Sequence, residues 1–543
     1  MLLDLPPELL VSVLKYLPVS DISACACTSK AFKDLIDQHE STIYRQAAAH
    51  PSLSLIPHDH ILFSDILPHG FLSRRYLGDV DNWKNLCRRA LNVRSCWLGK
   101  GPSRVKNYNQ GYANYPSVHR IKVDERRGFV ITTHGQHNVA GQGRVVVSDI
   151  NDGTAIFQLG SHHVRRYAHC EYGEGFLIFD RSMDAKEVWR LVSVNPEIPD
   201  PEAFEVVPES QPGEAQLTAA TSSPEGRLKF VPHALLRPPN NIPTRAFRFV
   251  YPTLLVAASD CLLLWDVRTG TLVDRMDGIS NLIPPSHNPT ANLNWPASLT
   301  SSTLGTICYV EVNEKYALLR KRGRWISMWK NSGKVIVNHK TELTDTNQTP
   351  SPFHDDLSEH CIAETAHFSP CGKHLAILAH MSRLLIIPYF ERVLDGRVRN
   401  YHDIMIDLQL GASHESIYLA YENDRIGIVT QLGVFIVHPI FPPPDDLETP
   451  PKVHVQRVPL LNDPQLLFYV SCLQMTSTSL WINWEVEEDT PGIFSSSPGA
   501  LQQIETDEQS FEESLDTVAF FHPSRWPGNS VVISVDFGLG SES

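Results

Sequence analysis

The sequence has few of the features that define several common protein classes. Its ten cysteines are scattered over 543 residues without a C-x-x-C pair, which argues against a disulfide scaffold and favours reduced thiols inside a cell. No apolar window approaches the roughly 18 residues that a membrane-spanning helix requires. The N-terminal residues MLLDLPPE lack the basic start of a signal peptide. We therefore expect a protein of the cytoplasm, the nucleus or both, without membrane contact.

Positive charge and catalytic motifs are also scarce. With 61 acidic and 47 basic residues, the net charge is −14, which argues against a nucleic-acid footprint along the whole chain. There is no G-x-x-x-x-G-K phosphate loop, no G-x-S-x-G elbow and no H-E-x-x-H helix. The pairs Cys25/Cys27 and His162/His163 lack the matching second pair that a metal site needs. We expect no active site, cofactor or metal.

The residue pattern at the N-terminus is helical. Residues 5–17 place apolar side chains on one face of a helix that begins with prolines and ends before Pro18. Ser20 is predicted to cap a second short helix, and Thr28 or Ser29 to cap a third. Three helices this short bury little surface, so such a unit usually needs a partner for stability.

The segment LPPELLVSVLKYLPVSDISACACTSKAFKDLI resembles an F-box, because its helix breaks and apolar positions agree jointly with that family. The resemblance implies binding to a Skp-type adaptor and, through it, to a cullin–RING ubiquitin ligase. In that family the Leu-Pro opening and the apolar face of the first helix contact the adaptor. The corresponding residues here are Leu5, Pro6, Leu9, Leu10, Leu14 and Leu17.

Some of these apolar residues have a second possible role in the small core of the F-box. We favour the core role for Leu10, Val13 and Phe32, and adaptor contact for Leu5 and Pro6. The sequence departs from the usual F-box pattern because no tryptophan follows the third helix soon after its end. A tyrosine at position 44 is the candidate replacement.

Residues 51–102 are predicted to be a helical linker. Trp83, Leu86 and Leu91 fit one side of a helix, with arginines on the other side. The Trp-Leu-Gly at 97–99 follows. This arrangement is similar to the linker between F-box and propeller in F-box/WD-repeat proteins.

From about residue 103 the pattern changes to short β-strands separated by turn residues. Three segments (145–153, 262–270 and 325–333) share one frame: an apolar strand, a polar step, and a tight turn ending in glycine. Candidate third strands of such a repeat lie near residues 148, 190, 265, 329, 387, 437, 483 and 535. Their spacings of 42 to 75 residues are near or above the roughly 40–45 of a WD-repeat blade.

The repeat resembles a WD-repeat propeller, on the strength of Phe-Ser-Pro-Cys-Gly-Lys at 368–373 and the single Trp-Asp at 265–266. The predicted fold class is thus multidomain: an all-α, three-helix F-box (1–50), a helical linker (51–102) and an all-β propeller of seven or eight blades (103–543). Disordered inserts are predicted near 196–243, which contains ten prolines, and near 485–516, which contains ten acids and no base. A strand near 103–120 is expected to close the ring with the last one.

Two basic clusters are candidates for binding a target protein: Arg165 with Arg166, and Arg322 with Arg324. In the F-box/WD-repeat family, propeller arginines grip phosphorylated targets; a solvated turn is the other interpretation of each cluster. The sequence as a whole predicts the substrate-recognition subunit of an SCF-type ligase, which binds an adaptor and a protein substrate. Two alternatives remain: an F-box scaffold acting outside any ligase, and a propeller that binds a small ligand.

Overall fold

A computed structural model gives the architecture. The structure describes residues 5–66, 72–78, 80–108, 118–135, 143–160, 164–181, 184–194, 229–258, 260–279, 309–321, 324–329, 335–340, 363–379, 381–394, 397, 404–411, 416–444, 446, 449–459, 461–485 and 530–538. No helix within these ranges combines the length and the apolar character needed to cross a membrane.

Four helices occupy the N-terminal region: α1 (Pro7–Leu14), α2 (Val19–Thr28), α3 (Lys30–Gln38) and α4 (Glu40–Ala49). The cap of α3 is as predicted, because the Ser29 hydroxyl accepts a hydrogen bond from the Phe32 N–H at 3.2 Å. The predicted cap at Ser20 is wrong: this residue lies inside α2, which begins after Pro18 without a side-chain cap. The fourth helix was not predicted; its Tyr44 is buried, as a replacement for the missing tryptophan should be.

The linker contains a 3-10 turn (Phe63–Asp65), α5 (Arg74–Leu77) and α6 (Trp83–Trp97). Helix α6 begins at the cap Asn82, whose side chain accepts from the Asn85 N–H at 2.8 Å. Leu91 is exposed, so its predicted place on the buried side of the helix is wrong. The buried face recurs at helical spacing through Trp83, Leu86, Cys87, Ala90, Val93 and Trp97.

Twenty-eight strands of the described residues form seven four-stranded antiparallel sheets, called blades here. Blade 1 consists of β2 (Val118–Asp124), β3 (Phe129–Gly135), β4 (Gly143–Asp149) and β5 (Ala155–Leu159). Blade 2 consists of β6 (Cys170–Gly173), β7 (Phe176–Asp180), β8 (Lys186–Leu191) and β9 (Phe230–Leu236). Blade 3 consists of β10 (Thr244–Val250), β11 (Thr253–Ala258), β12 (Cys261–Asp266) and β13 (Thr271–Asp277).

Blade 4 consists of β14 (Tyr309–Val312), β15 (Tyr316–Lys321), β16 (Arg324–Trp329) and β17 (Val335–Lys340). Blade 5 consists of β18 (Ala363–Phe368), β19 (Leu375–Ala379), β20 (Arg383–Ile387) and β21 (Ile406–Gln409). Blade 6 consists of β22 (Ser416–Glu422), β23 (Arg425–Thr430), β24 (Gly433–Ile440) and β25 (Lys452–Arg457). Blade 7 combines β26 (Leu473–Met475), β27 (Ser479–Glu485) and β28 (Ser530–Asp536) with β1 (Arg104–Asn107). Two short helices complete the fold: α7 (Phe390–Leu394) and α8 (Pro464–Phe468).

The sequence predicted seven or eight blades. Six blades are built from four consecutive strands, and the count reaches seven only with the composite sheet. An eighth was overcounted because the candidates near 483 and 535 are the second and third strands of the same sheet. The other predicted third strands, together with the one near 535, are the third strands of the seven sheets.

The ring is closed by strand exchange between the two ends of the propeller. Strand β1 pairs antiparallel with β28, from Arg104 opposite Asp536 to Asn107 opposite Ile533, which confirms the expected closure. The innermost strands contact one another in the order β2, β6, β10, β14, β18, β22 and β26, and β26 returns to β2. This radial arrangement leaves only short sheet edges, which are protected within the ring.

The repeated turn has the predicted backbone chemistry. Gly153 and Gly270 adopt φ values of 75° and 65°, which a side chain would disfavour. Asp149 and Asp266 hold these turns through side-chain oxygens that accept from the backbone N–H two residues later, at 2.7 and 2.9 Å.

The predicted inserts need a correction. Within 196–243, residues 230–236 form β9, the outer strand of blade 2, while 195–228 lie outside the described residues. Of the predicted 485–516 insert, only Glu485 is described, as the last residue of β27.

Each blade has two ends, which define two faces of the ring. Turns between first and second strands lie on one face, together with turns between third and fourth strands. This is the linker face, because Trp97 Nε1 donates to Ser477 O in the β26–β27 turn, at 2.9 Å. The opposite far face carries the connections between blades and the turns between second and third strands. One apolar core runs continuously from the F-box through α6 into blades 6 and 7.

Trp97 tests whether this shared core stabilises the chain. Its side chain is 0% exposed, so we expect Trp97→Ala to destabilise the protein by about 3–5 kcal/mol through a cavity between linker and propeller. Tyr16→Ala, at a residue 67% exposed, is the matched control and should change stability by less than about 0.5 kcal/mol. Chemical denaturation of both variants measures this; equal midpoints would contradict a shared core.

Candidate functional site

Helix α1 carries an exposed apolar surface. Leu5, Leu9, Val13 and Tyr16 are 39%, 52%, 52% and 67% exposed. Leu9 and Val13 are four residues apart on α1 and so share one helix face, while Tyr16 lies in the turn that follows the helix. We call these four residues the α1 surface. A contiguous apolar surface on a helix otherwise anchored in a core is typical of a protein-binding site.

The predicted adaptor-binding residues divide between this surface and the core. Leu5, Pro6 and Leu9 are exposed. Leu10 and Leu14 are buried (5% and 3%), which favours the core role predicted for Leu10. Leu17 is half-buried against the shared core and Phe32 is half-buried.

Sequence reasoning misplaced Val13 and missed Tyr16. Val13 was assigned to the core but is exposed, and Tyr16 was not singled out. The available signal was the four-residue step from Leu9 to Val13, which defines a second apolar face beside that of Leu10 and Leu14.

The described members of the two predicted arginine clusters originate on the far face. Arg165 and Arg166 lie in the connection from β5 to β6. Arg165 is exposed and forms an ion pair with Asp184 at 3.1 Å. The Arg166 guanidinium lies over the Tyr167 ring, 5.0 Å from its centroid. Arg322 is outside the described residues, and Arg324 is described only as the first residue of β16.

The centre of the propeller contains a ring of paired charges, which we call the channel ring. Each of blades 1 to 5 contributes one inner-strand residue. Lys122 Nζ and Arg248 Nη1 contact the two oxygens of Glu171, at 2.8 and 3.1 Å. Arg248 Nε contacts Glu311 Oε1 at 3.1 Å. His367 Nδ1 contacts Glu311 Oε2 at 2.9 Å. Five blades are thus linked by charged hydrogen bonds.

Two further groups extend the channel ring. His169 Nε2 lies 3.1 Å from Glu171, and its Nδ1 accepts from Arg120 Nε at 3.0 Å. At the other end, the Tyr309 hydroxyl lies 3.0 Å from His367 Nε2. For His169 this pattern makes Nε2 the donor to Glu171 and Nδ1 the acceptor from Arg120, which suits a neutral imidazole. Burial also lowers the pKa of His169.

The charges of the channel ring stabilise one another. Burial alone would raise the pKa of Glu171, but Lys122 and Arg248 outweigh it and hold this pKa well below its usual range. Burial opposes ionisation of Glu311 too, and Arg248 again outweighs it, so its pKa is lowered. Because these carboxylates are already engaged by cations, they are poorly placed to act as a base or a nucleophile.

Arg120 differs from the other cations of the channel. It lies nearer the far-face end of β2 than Lys122, and its guanidinium contacts His169 Nδ1, His119 O and Ser471 O. In the described part of the chain it forms no ion pair. Sequence reasoning missed it, although alternating basic residues in the apolar strand Arg-Ile-Lys-Val were an available signal.

No metal site is found within the described ranges, where no three His, Cys, Asp or Glu side chains are grouped to hold an ion. Cys25 and Cys27 are free thiols, one half-buried and one exposed.

Comparison with known proteins identifies the N-terminal part of the chain. The F-box domain family matches residues 2–44, so the N-terminal helices form an F-box domain. One similar solved structure is the C-terminal WD40 domain of Sif2, with 8% identity, a TM-score of 0.33, and coverage of 58% of this chain and 68% of that chain. No curated protein matches significantly.

Arg248 tests whether the channel ring holds the blades together. Arg248→Ala would leave Glu171 and Glu311 without their shared cation, so we expect a loss of about 3–5 kcal/mol of stability. Arg275, which pairs with Asp277 on the surface, provides the control: Arg275→Ala should have little effect. Denaturant unfolding compares them, and an Arg248 variant as stable as the Arg275 variant would contradict the role of the ring.

The stability of the fold should depend on pH through Glu422, the last residue of inner strand β22. Burial raises its pKa to about 7, above the unfolded value of about 4.3. The folded state therefore binds the Glu422 proton more tightly than the unfolded state does. The associated stabilisation is complete below about pH 4.3 and is lost as pH rises to about 7. Glu422→Gln should remove this component. Unfolding free energies at several pH values would test it; parallel curves for the two proteins would refute the assignment.

Proposed function

We propose that this chain is the substrate-recognition subunit of an SCF-type cullin–RING ubiquitin ligase. Its F-box would bind a Skp-type adaptor, and its propeller would bind the protein to be ubiquitinated. The observation that carries the proposal is the exposed α1 surface on a domain that matches the F-box family. A helix that keeps Leu10 and Leu14 in the core while exposing Leu9 and Val13 has an apolar face left for a partner.

The adaptor contact would centre on Leu9 and Val13, with Leu5, Pro6 and Tyr16 beside them. Buried apolar anchors supply most of the energy of a typical interface. Leu17 lies half-buried and would contribute at the edge. Leu10 and Leu14 would act indirectly, by fixing the helix that presents the other residues.

The target protein would bind the far face of the propeller. Arg165 and Arg166 lie there, Arg324 begins β16 at that end, and Arg120 lies toward the same end of the channel. Arg322, outside the described residues, is proposed as part of the same surface. Guanidinium groups favour carboxylates and phosphates, with which they form paired hydrogen bonds. An acidic or phosphorylated segment is therefore the substrate class that we propose for this face.

The receptor would act by positioning. Ubiquitin transfer needs the target lysine close to a conjugating enzyme held elsewhere in the complex, and proximity raises the rate without any catalytic residue in this chain. Adaptor contact at α1 and target contact on the far face leave both partners bound together, because the linker occupies the other face of the ring.

Two alternatives make different predictions. An F-box scaffold would bind the adaptor but exclude the cullin. A propeller for a small ligand is favoured by the carboxylates and histidines that converge in the channel, such as Glu171 and His367. The existing ion pairs argue against this alternative: Glu171 is paired with Arg248 and His367 with Glu311, so a ligand would have to displace these pairs.

The adaptor interface can be tested with the double variant Leu9→Asp/Val13→Asp. Both side chains are exposed, so the fold should be retained, while two charges in an apolar interface should weaken adaptor binding at least about 100-fold. Ser12→Asp adds a charge at another exposed position of α1 and should bind normally. A pull-down with purified adaptor, cullin and RING protein measures both steps.

Capture of adaptor and cullin by the wild type and the Ser12 variant, and of neither by the double variant, is the expected result. Adaptor capture without cullin would favour the scaffold. No capture by the wild type, or full capture by the double variant, would overturn the proposed interface.

A further inference from the structure

We propose that Thr449 is a phosphorylation site for a proline-directed protein kinase, and that its phosphorylation opens the turn between β24 and β25. This turn lies on the linker face of blade 6. The proposal does not depend on the ligase role, since it rests on the accessibility, backbone and hydrogen bonds of this turn.

Accessibility distinguishes Thr449 from a second site of the same sequence type. The described residues contain two Ser/Thr-Pro pairs, Thr449-Pro450 and Ser369-Pro370. Thr449 is exposed, whereas Ser369 is 3% exposed. The Ser369 hydroxyl also accepts from the His374 N–H at 3.0 Å. A kinase that reads proline after the acceptor would therefore reach only the first pair in the folded protein.

The prolines after Thr449 limit its backbone. Thr449 lies in a bend and is followed by Pro450 and Pro451, so a helical conformation is disfavoured at this position. Pro450 also has no N–H that would have to be satisfied in the kinase groove.

Two hydrogen bonds hold the threonine in the turn. Asp446 accepts from the Thr449 hydroxyl at 2.6 Å and from the Thr449 N–H at 3.1 Å, through its two carboxylate oxygens. The Asp446 N–H in turn donates to Pro443 O at 2.9 Å. Phosphorylation therefore removes the hydroxyl proton that donates the hydrogen bond from Thr449 to Asp446 across the turn.

The reaction changes the charge balance of the turn. Thr449 Oγ1 would attack the γ-phosphorus of ATP, the bond to the β-phosphate oxygen would break, ADP would leave, and the hydroxyl proton would pass to the kinase's base. The phosphate carries about −1.5 to −2 charges and lies beside the Asp446 carboxylate, which it repels. Lys452, exposed at the start of β25, follows Thr449 by three residues in the sequence and is the cation that we propose for the phosphate.

The opening should stay local because the start of the turn is anchored to blade 5. The Phe441 ring stacks on His374 with 3.9 Å between centroids. The Tyr389 hydroxyl donates to Pro442 O. These contacts lie outside the Asp446–Thr449 hydrogen bonds and do not involve the hydroxyl that is modified.

The test uses the full chain, a purified proline-directed kinase and ATP, with phosphate mapped by mass spectrometry at Thr449 and Ser369. We expect Thr449 to be modified at least about 10-fold faster than Ser369, because the latter is reached only by unfolding. Pro450→Ala should reduce modification of Thr449 to background, and Thr449→Val serves as the blank. Hydrogen exchange at the Thr449 amide should become faster after phosphorylation.

Each contrary result would overturn part of the proposal. Thr449 left unmodified, or modified equally in the Pro450 variant, would rule out the site. Equal rates at Thr449 and Ser369 would mean that the kinase acts on unfolded protein. An unchanged exchange rate at the Thr449 amide in the phosphorylated chain would refute the opening of the turn.

Discussion

The docking of Trp97 into the propeller is the interaction on which the rest of this structure depends. The indole ring stacks on Phe537 with 4.0 Å between ring centroids, and the guanidinium of Arg425 lies 4.3 Å from the indole centroid. The last carbonyls of α6 are also satisfied: His438 donates to Trp97 O at 2.9 Å and His454 to Leu98 O at 3.0 Å. The end of one helix is therefore fixed by apolar, cation–π and hydrogen-bond contacts together.

Further contacts of the linker restrict rotation about this point. Ser73 donates to Glu125 at 2.7 Å, and the same carboxylate accepts from the Thr478 N–H at 3.2 Å. Arg75 pairs with Asp536 at the end of β28. Since these partners belong to blades 1 and 7, the linker spans the position where the two ends of the propeller meet. Closure of the ring and orientation of the F-box thus depend on the same contacts.

The sequence predicted local features better than register. Third strands and the Ser29 cap were identified because apolar runs, turn glycines and capping residues act within a few residues. The channel ring could not be predicted, because Lys122, Glu171 and Arg248 come together only when three blades are aligned side by side. Two faces of α1 were confused for a related reason: both are apolar, and only packing decides which is buried.

The central claim is that one continuous core joins the F-box, the linker and the propeller, and a distance between F-box and propeller tests it most directly. Cys27 in α2 and Cys371 in the β18–β19 turn are both exposed and can carry spin labels once the remaining reactive cysteines are replaced by serine. Pulsed electron resonance should then give one narrow distance distribution, unchanged when an adaptor binds. A broad or two-peaked distribution would show that the F-box moves relative to the propeller and would contradict the account.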